Sequence, residues 1–502
     1  MDIRLQLLPS AHPPHTACKL RTEPVFREHQ LTASLIVRHD PTAMARSLLS
    51  HLLICCSIAG ASDAATTATQ RPADPCAGRR VHVRRLPVRF NLDLLRHCAA
   101  AFPLVDPTSP ATSTPSCASL ANHGLGPRTH PRSRSWYRTD GRLLEPFFHR
   151  RVLERRCLVD RPARADAVFV PYYAALDALP YALDPALLNS SALHGLPLAR
   201  FLARDDPRTL ARRHGHDHFF LMAGPAWDYS QPHDADPRMY GTTSLLRRPE
   251  LENFTVLTVE SRAWPWQEHA VPHPTSFHPA TLPRLRGWLA RARRAHRTAL
   301  MLYVGGVSRP SRPNIRGSIL AECANATAAV CTVVDCSGGA CALDPLMYMR
   351  PMLRAKFCLE PPGDTPSRRS TFDAIVAGCV PVFFEHAGAR TQYGWHLPRR
   401  RYDEFSVTIP KESVVLGDVR IADVLAAVPD ADVARMRARL LELAPRVVYR
   451  RHGSTAELRE ASKDAVDLAV EGALRRIRRR VHVLEDGDPD AIYSLEDDDD
   501  LL

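Results

Sequence analysis

The stretch KFCLEPPGDTPSRRSTFDAIVAGCVPVFF, Lys356 to Phe384, reads as strand, loop, helix, glycine stop and strand. Lys356 to Leu359 is a short apolar run. Glu360 to Ser370 is a loop dense in Pro, Gly, Asp and Ser that carries two adjacent arginines. Thr371 to Ala377 fits a helix, with Ser370 as the expected N-cap, Gly378 just past its end and a buried strand, Val380 to Phe384, after it. Such a loop delivers its backbone N–H groups to a helix N-terminus. That terminus carries a partial positive charge and unpaired donors, so it suits a diphosphate, and Arg368 or Arg369 adds a permanently charged bidentate clamp. Gly363 admits close backbone approach to a phosphate, or serves the turn alone, and Asp364 and Ser367 complete the expected donor-binding loop. The chemistry points to a nucleotide-sugar site. The alternative is an ordinary connection with solvated arginines, and the rest of the chain has to decide between them.

The net charge of +12 is a misleading signal. Only four lysines occur (Lys19, Lys356, Lys411, Lys463), so 62 of the 66 basic residues are arginine, which together with abundant Ala and Pro reads as codon bias rather than a binding surface. No basic stripe interleaved with aromatics and no nucleic-acid-binding signature is present, so nucleic acid is not an expected partner. At 45% hydrophobic and 24% charged residues, the 502-residue chain has ordinary globular composition and room for two domains plus tails.

Residues 1–75 hold Pro, His, Ala and Thr without sustained periodicity. Within them Ser47 to Ala61 (SLLSHLLICCSIAGA) follows Arg38 and Arg46 and precedes the small-residue run Ser62 to Thr69. It is shorter than the roughly 17 to 25 residues of a full span, and fits the apolar region of a signal peptide or a weak signal anchor. Leu495 to Leu502 (LEDDDDLL) is an acidic tail. Three sequons, Asn189-Ser190-Ser191, Asn253-Phe254-Thr255 and Asn325-Ala326-Thr327, agree with a luminal chain. Thirteen cysteines point the same way. Cys331, Cys336 and Cys341 are each separated by four residues, which does not match paired zinc spacing, so disulfides of open connectivity are expected and no metal site.

Between about residue 76 and residue 480 short apolar runs alternate with helical stretches, as in an α/β fold. Expected strands are Arg79 to Leu86, Ala167 to Tyr172, His218 to Ala223, Thr255 to Val259, Ala299 to Val304, Lys356 to Leu359 and Val380 to Phe384. Expected helices are Leu143 to Arg155, Pro283 to Ala295, Ile421 to Ala426, Val433 to Leu443 and a long last one, Ser454 to Arg480. Runs such as AVFVPYY and TALMLYVGG suit parallel strands covered on both faces. The expected division is an N-terminal tail at 1–75, a first domain at 76–297, a second at 298–480 and an acidic tail at 481–502. Ligands would lie at the carboxyl ends of the strands.

The segments DPCAGRRVHVRRLPVRFN (Asp74 to Asn91), SWYRTDGRLLEPFFHRRVLERRCLVDRPARADAVFVPYYAALD (Ser135 to Asp177), HDHFFLMAGPAWDY (His216 to Tyr229), PHPTSFHP (Pro272 to Pro279), RPNIRGSILAEC (Arg312 to Cys323), the opening stretch and TQYGWHLP (Thr391 to Pro398) fall in a diagnostic order. That order resembles plant exostosin-type glycosyltransferases, most closely their xyloglucan galactosyltransferase branch. The resemblance covers roughly residues 74–480. It implies a type II, single-pass Golgi membrane protein of the GT-B type, an α/β fold with two Rossmann-like domains facing a cleft.

It further implies an inverting enzyme with no cofactor, using a UDP-sugar, in the first instance UDP-galactose, and a xyloglucan or related polysaccharide acceptor. A complex with other Golgi glycosyltransferases belongs to the same expectation. No metal is required if Arg368, Arg369 and the helix N-terminus stabilise the leaving UDP. Asp373 stands where many GT-B transferases place a carboxylate on the ribose, and a helix-start Asp facing the dipole is the alternative. The first domain offers Asp217, His218, Asp228 and Glu260 as candidate catalytic bases at strand ends. The family pattern carries Arg where this chain has Pro225. Trp227, Trp264, Trp266 and Trp395 are candidates for stacking on sugar rings or for the core. Another UDP-sugar, carrying galacturonic acid or arabinose, a noncatalytic glycan-binding relative and a carbohydrate hydrolase are the alternatives.

Overall fold

The computed structural model describes residues 74–96, 117–183, 188–232, 243–262, 267–307 and 314–487, all within one unit, Ala73–Leu502. The apolar segment Ser47 to Ala61, the acidic tail at 495–502, and Trp264 and Trp266 lie outside these residues. Among the described residues no helix is long and apolar enough to cross a membrane.

Two all-parallel sheets form the frame. The first has the order β2-β1-β3-β4-β5-β6, built from β1 (Val81–Val83), β2 (Leu158–Val159), β3 (Ala167–Phe169), β4 (His218–Pro225), β5 (Thr255–Glu260) and β6 (Glu268–Ala270). The second has the order β11-β10-β9-β7-β8, from β7 (Ala299–Gly305), β8 (Cys331–Asp335), β9 (Ala355–Glu360), β10 (Val380–Phe383) and β11 (Val407–Thr408). The strands HFFLMAGP of β4 and TVLTVE of β5 are buried almost throughout, without alternation. Both faces of the sheet are covered, as parallel sheets require. These are the two Rossmann-like halves of a GT-B fold.

The helices that pack on these sheets include α1 (Leu144–Val152), α2 (Ala174–Leu183), α3 (Leu282–Arg294), α4 (Ile315–Ala324), α5 (Arg369–Ala377), α6 (Asp430–Val447) and α7 (Ala465–Glu485). The second sheet is clothed on one side by α3, α5 and the later turns of α6, through Trp288, Phe372, Ile375, Leu440 and Leu441, and on the other by Ile315 and Ile319 of α4 with Ile421 and, from the first turn of α6, Val433. The last helix goes elsewhere. Ala465, Val466, Ala469, Val470, Ala473, Leu474 and Ile477 of α7 recur at helical spacing and join the core of the first sheet with Phe219, Leu221 and Val256. The expected single helix from Ser454 to Arg480 is broken into Ala456–Ala461 and α7, because Asp464 caps α7 in a reciprocal capping box with Asp467. The short strands β2, β6, β8 and β11 were not expected from the sequence; β2 and β11 are two residues each, too short to show a period.

Among the described residues four disulfides, Cys76–Cys157, Cys323–Cys331, Cys336–Cys341 and Cys358–Cys379, occupy eight cysteines. This density fits an oxidising compartment. Cys358–Cys379 ties β9 to the start of β10 at the base of the loop between them.

Candidate active site

In the second sheet the chain leaves β7 toward β8 on one side and leaves β9 toward β10 on the other. A crevice must therefore open between the loops that follow β7 and β9, at their carboxyl ends. A cavity of about 530 Å³ lies there. Asn314, Ile315 and Arg316 line it from the β7 side, Pro362, Gly363 and Asp364 from the β9 side, and Lys411 and Glu412 from the short helix that follows β11. Its size is that of an ordinary small-molecule pocket, about 300 to 1,000 Å³.

Local sequence explains both walls. Asn314 is the N-cap of α4, its side chain accepting the Gly317 N–H at 3.0 Å, so Arg316 stands in the first turn at the cavity rim. Across from it the loop Pro361 to Arg368 runs into α5, which Gly378 ends in a left-handed conformation (φ 64°). Ser370 does not cap this helix. Arg368 holds the N-cap place with an extended backbone and no side-chain cap, while the Ser370 hydroxyl donates to Glu360 at the end of β9. A buried carboxylate attracts the hydroxyl more strongly than the adjacent backbone N–H groups do.

Two guanidinium groups converge on Gly363. A Cβ placed on that glycine would lie 1.6 Å from Nη2 of Arg368 and 1.8 Å from Nη2 of Arg316. Arg368 Nη1 donates to the Ser367 carbonyl at 2.6 Å, yet its Nε and Nη2 are buried and meet no protein acceptor. Burial and the neighbouring charge of Arg316 lower the pKa of Arg368. Like charges with unused donors, beside a glycine that leaves room for them, are the requirement of a bound oxyanion. Arg316 was not among the residues expected from sequence. Its signal was the Asn-Ile-Arg-Gly helix start after β7, which periodicity alone does not link to the loop after β9.

The other expected residues are distributed as follows. Arg369 turns away from the cavity and donates to the Thr139 carbonyl and Ser276 Oγ of the first domain, both at 2.6 Å. It also pairs with Asp373 one turn on at 3.5 Å. Asp373 is buried in α5, and burial pushes its pKa up to about 6 against the pull of Arg369. Asp364 is exposed at the cavity rim. Ser367 is buried against the first domain, its N–H donating to Glu260 Oε2 at 2.7 Å and its hydroxyl to the same oxygen.

Among the candidate bases, Glu260 ends β5 and pairs in register with Pro225 at the end of β4. The departure from the family pattern at Pro225 therefore sits at the carboxyl edge of the first sheet. Asp228 follows on the turn Ala226–Tyr229 and is half-buried on the same side. Asp217 and His218 are at the opposite end of β4, seven residues earlier, or about 23 Å at strand rise. There His218 Nδ1 meets Asp217 Oδ1 at 2.7 Å, and Asp217 accepts from Arg212 at 2.6 Å. With Arg212 they form a hydrogen-bonded cluster at the amino edge. Trp395 lies flat on His269, ring centres 3.4 Å apart, in the core between α7 and β6, and Trp227 is half-buried near Asp228.

Sequence reasoning also passed over Glu145. This buried carboxylate in the first turn of α1 accepts the N–H groups of Ala175 at 2.7 Å and Ala223 at 3.1 Å, and burial raises its pKa to about 8. It pins the start of α2 to the carboxyl half of β4. Among the described residues no group of three or more His, Cys, Asp or Glu is placed to hold a metal ion.

Residues 75–424 match the exostosin GT47 domain family. The chain belongs to the exostosin GT47 glycosyltransferases. Among curated relatives it is 56% identical to the "Probable xyloglucan galactosyltransferase GT19" of Arabidopsis thaliana, over 81% of this chain and 92% of that one. It is 32% identical to the "Xyloglucan galactosyltransferase MUR3" of the same plant, over 85% of this chain and 66% of that one. It is also 32% identical to the Arabidopsis "Xyloglucan-specific galacturonosyltransferase 1", over 81% and 58%. The GT47 match covers β1 to β11, and so includes both walls of the cavity.

Proposed function

We propose that this GT47 enzyme transfers galactose from UDP-galactose to a side chain of xyloglucan, as a Golgi membrane protein with its catalytic domains in the lumen. The observation that carries the donor half is the meeting of Arg316 and Arg368 at Gly363, where Arg316 and Gly363 line the cavity between β7 and β9 and Arg368 stands behind the glycine. The acceptor and the galactosyl group follow from the relative at 56% identity.

In this reading the diphosphate of the donor occupies the cavity mouth. The N-terminus of α4 and the two guanidiniums face its oxygens. A base in the first domain takes the proton of the acceptor hydroxyl as its oxygen bonds to the sugar C1. The C1–O bond to the diphosphate breaks with its electrons leaving on UDP, and configuration at C1 inverts. The charge that develops on UDP is met by fixed cations that need no reorganisation at that moment. Of the four candidate bases, we assign Asp228, which stands beyond the carboxyl end of β4 on the cleft side.

The test is transfer by the purified luminal chain from UDP-galactose, UDP-galacturonic acid and UDP-arabinose to xyloglucan oligosaccharides. Transfer of galactose alone supports the reading, transfer of another sugar corrects the donor, and transfer of none removes it. Arg316→Ala and Arg368→Ala should each weaken UDP binding at least tenfold. Asp228→Asn should abolish transfer and leave UDP binding unchanged.

A further inference from the structure

Glu260 belongs to the first sheet and Ser367 to the donor loop of the second, yet they are joined within the protein interior. Oε2 of Glu260 takes both donors of Ser367, its backbone N–H at 2.7 Å and its hydroxyl. His273, also from the first domain, places Nε2 at 3.1 Å from the same hydroxyl oxygen. A serine hydroxyl has one proton, and here it is committed to the carboxylate, so the His273 contact runs the other way: Nε2–H donates and Ser367 Oγ accepts. The tautomer of His273 is thereby set. Burial and the flanking Arg368 and Arg369 hold its pKa down to about 3, so the ring is neutral.

The next residue in the loop is Arg368. Its backbone leaves Ser367 directly, its Nη1 folds back onto the Ser367 carbonyl, and its charge faces Glu260. Fixing Ser367 therefore fixes the direction of Arg368, whose unused Nε and Nη2 then lie near Gly363 and Arg316. We propose that Glu260 and His273 form a cross-domain latch on Ser367 that positions the Arg368 clamp for the donor diphosphate. The first domain, which presents the acceptor, thus sets the geometry of the donor site in the second. Glu260 is a positioning residue in this arrangement rather than the base. The inference rests on the donor reading above.

The experiment measures UDP affinity without acceptor, donor KM, kcat and thermal midpoint on the full chain. His273→Leu removes the N–H donor, and His273→Gln restores one at the Nε2 place. The Leu variant should bind UDP at least tenfold more weakly and raise donor KM by the same factor, with a much smaller change in kcat. The Gln variant should return to within threefold of the parent at an equal thermal midpoint. Glu260→Gln, which removes the charge facing Arg368, should likewise weaken UDP binding about tenfold.

Equal UDP affinity in the Leu variant and the parent would overturn the latch. So would a Gln variant as impaired as the Leu variant. If Glu260→Gln keeps parental UDP affinity and loses a thousandfold in kcat, Glu260 is the base and the latch is wrong. Failure of the donor reading itself looks different: Arg316→Ala and Arg368→Ala would then bind UDP as the parent does.

Discussion

Gly363→Ala separates the donor site from the fold. Gly363 is exposed, and its backbone is not among the left-handed glycines, so alanine is sterically acceptable to the chain itself. An added methyl there even lowers unfolded-state entropy, worth about 0.4–1 kcal/mol in favour of the folded state. What it cannot do is share space with the two guanidinium ends 1.6 and 1.8 Å away. Those ends are the tips of long side chains, so they rather than the backbone give way, and in moving they vacate the place a diphosphate needs. A hydrogen bond to a charged group contributes about 1.5–3 kcal/mol. Loss of one such contact weakens UDP binding by roughly 10- to 150-fold. Calorimetric titration of UDP into parent and variant, with a thermal melt of each, reads both halves. The expected result is that loss of affinity with no fall in the melting midpoint. Affinity within threefold of the parent at an unchanged midpoint would refute the assignment of Arg316 and Arg368 to the diphosphate.

Three further outcomes follow from the packing. Asp464 is buried between Arg151, at 2.7 Å, and the backbone N–H groups of Arg450 and Asp467, both at 3.0 Å, which hold its pKa below the usual carboxylate value despite burial. Its contribution is present above the unfolded pKa of about 3.9 and is lost as pH falls toward the folded value. Neighbouring Asp467, raised by burial and by Asp464, acts in the opposite sense at higher pH. Asp464→Asn should destabilise the fold at pH 7, by less than the about 3–5 kcal/mol of a fully unpaired buried charge because Arg450 keeps Asp467 at 2.5 Å and Arg151 keeps Glu154 at 3.3 Å, and should flatten the acid limb of a stability–pH profile. Gly472→Ala places a methyl 2.0 Å from Cε3 of the buried Trp395. The gain in helix propensity of about 1 kcal/mol does not offset overpacking against a ring already stacked on His269, so the denaturation midpoint should fall. Both sequon amides donate to backbone carbonyls, Asn325 to Ala321 at 3.1 Å and Asn253 to His214 at 2.9 Å, but Asn325 is exposed at the end of α4, remote from the Arg316 turn, whereas Asn253 is half-buried. In protein from a secretory host, Asn325→Gln should remove a glycosidase-sensitive mobility increment that Asn253→Gln leaves in place.

The sequence by itself determined the fold class and the loop that matters. The strands at Ala299, Ala355 and Val380 and the helix closed by Gly378 are local products of apolar runs, a glycine with positive φ and a Pro-Gly loop, all readable along the chain. The ordered motifs from Asp74 to Pro398 carried the family. Short elements such as β2 and β11 were not legible, because two residues have no period and pair only when the sheet is already there. Nor was the destination of α7, which follows the second sheet in sequence but buries its apolar stripe in the first core.

Only the tertiary structure decided which charged residues meet. Arg368 and Arg369 are adjacent in sequence and indistinguishable there. The turn into α5 sends one toward Gly363 and the other to Thr139 and Ser276. Asp217, His218 and Glu260 all read as strand-end groups, but parallel strands have two unlike ends, and only the register of β4 with β5 puts Glu260 on the cleft side. Arg316 lies more than fifty residues from Arg368 along the chain. The two are brought together because β7 and β9 are neighbours whose exits diverge, and side-chain encounters across such a switch point are a property of strand order, which no local pattern encodes.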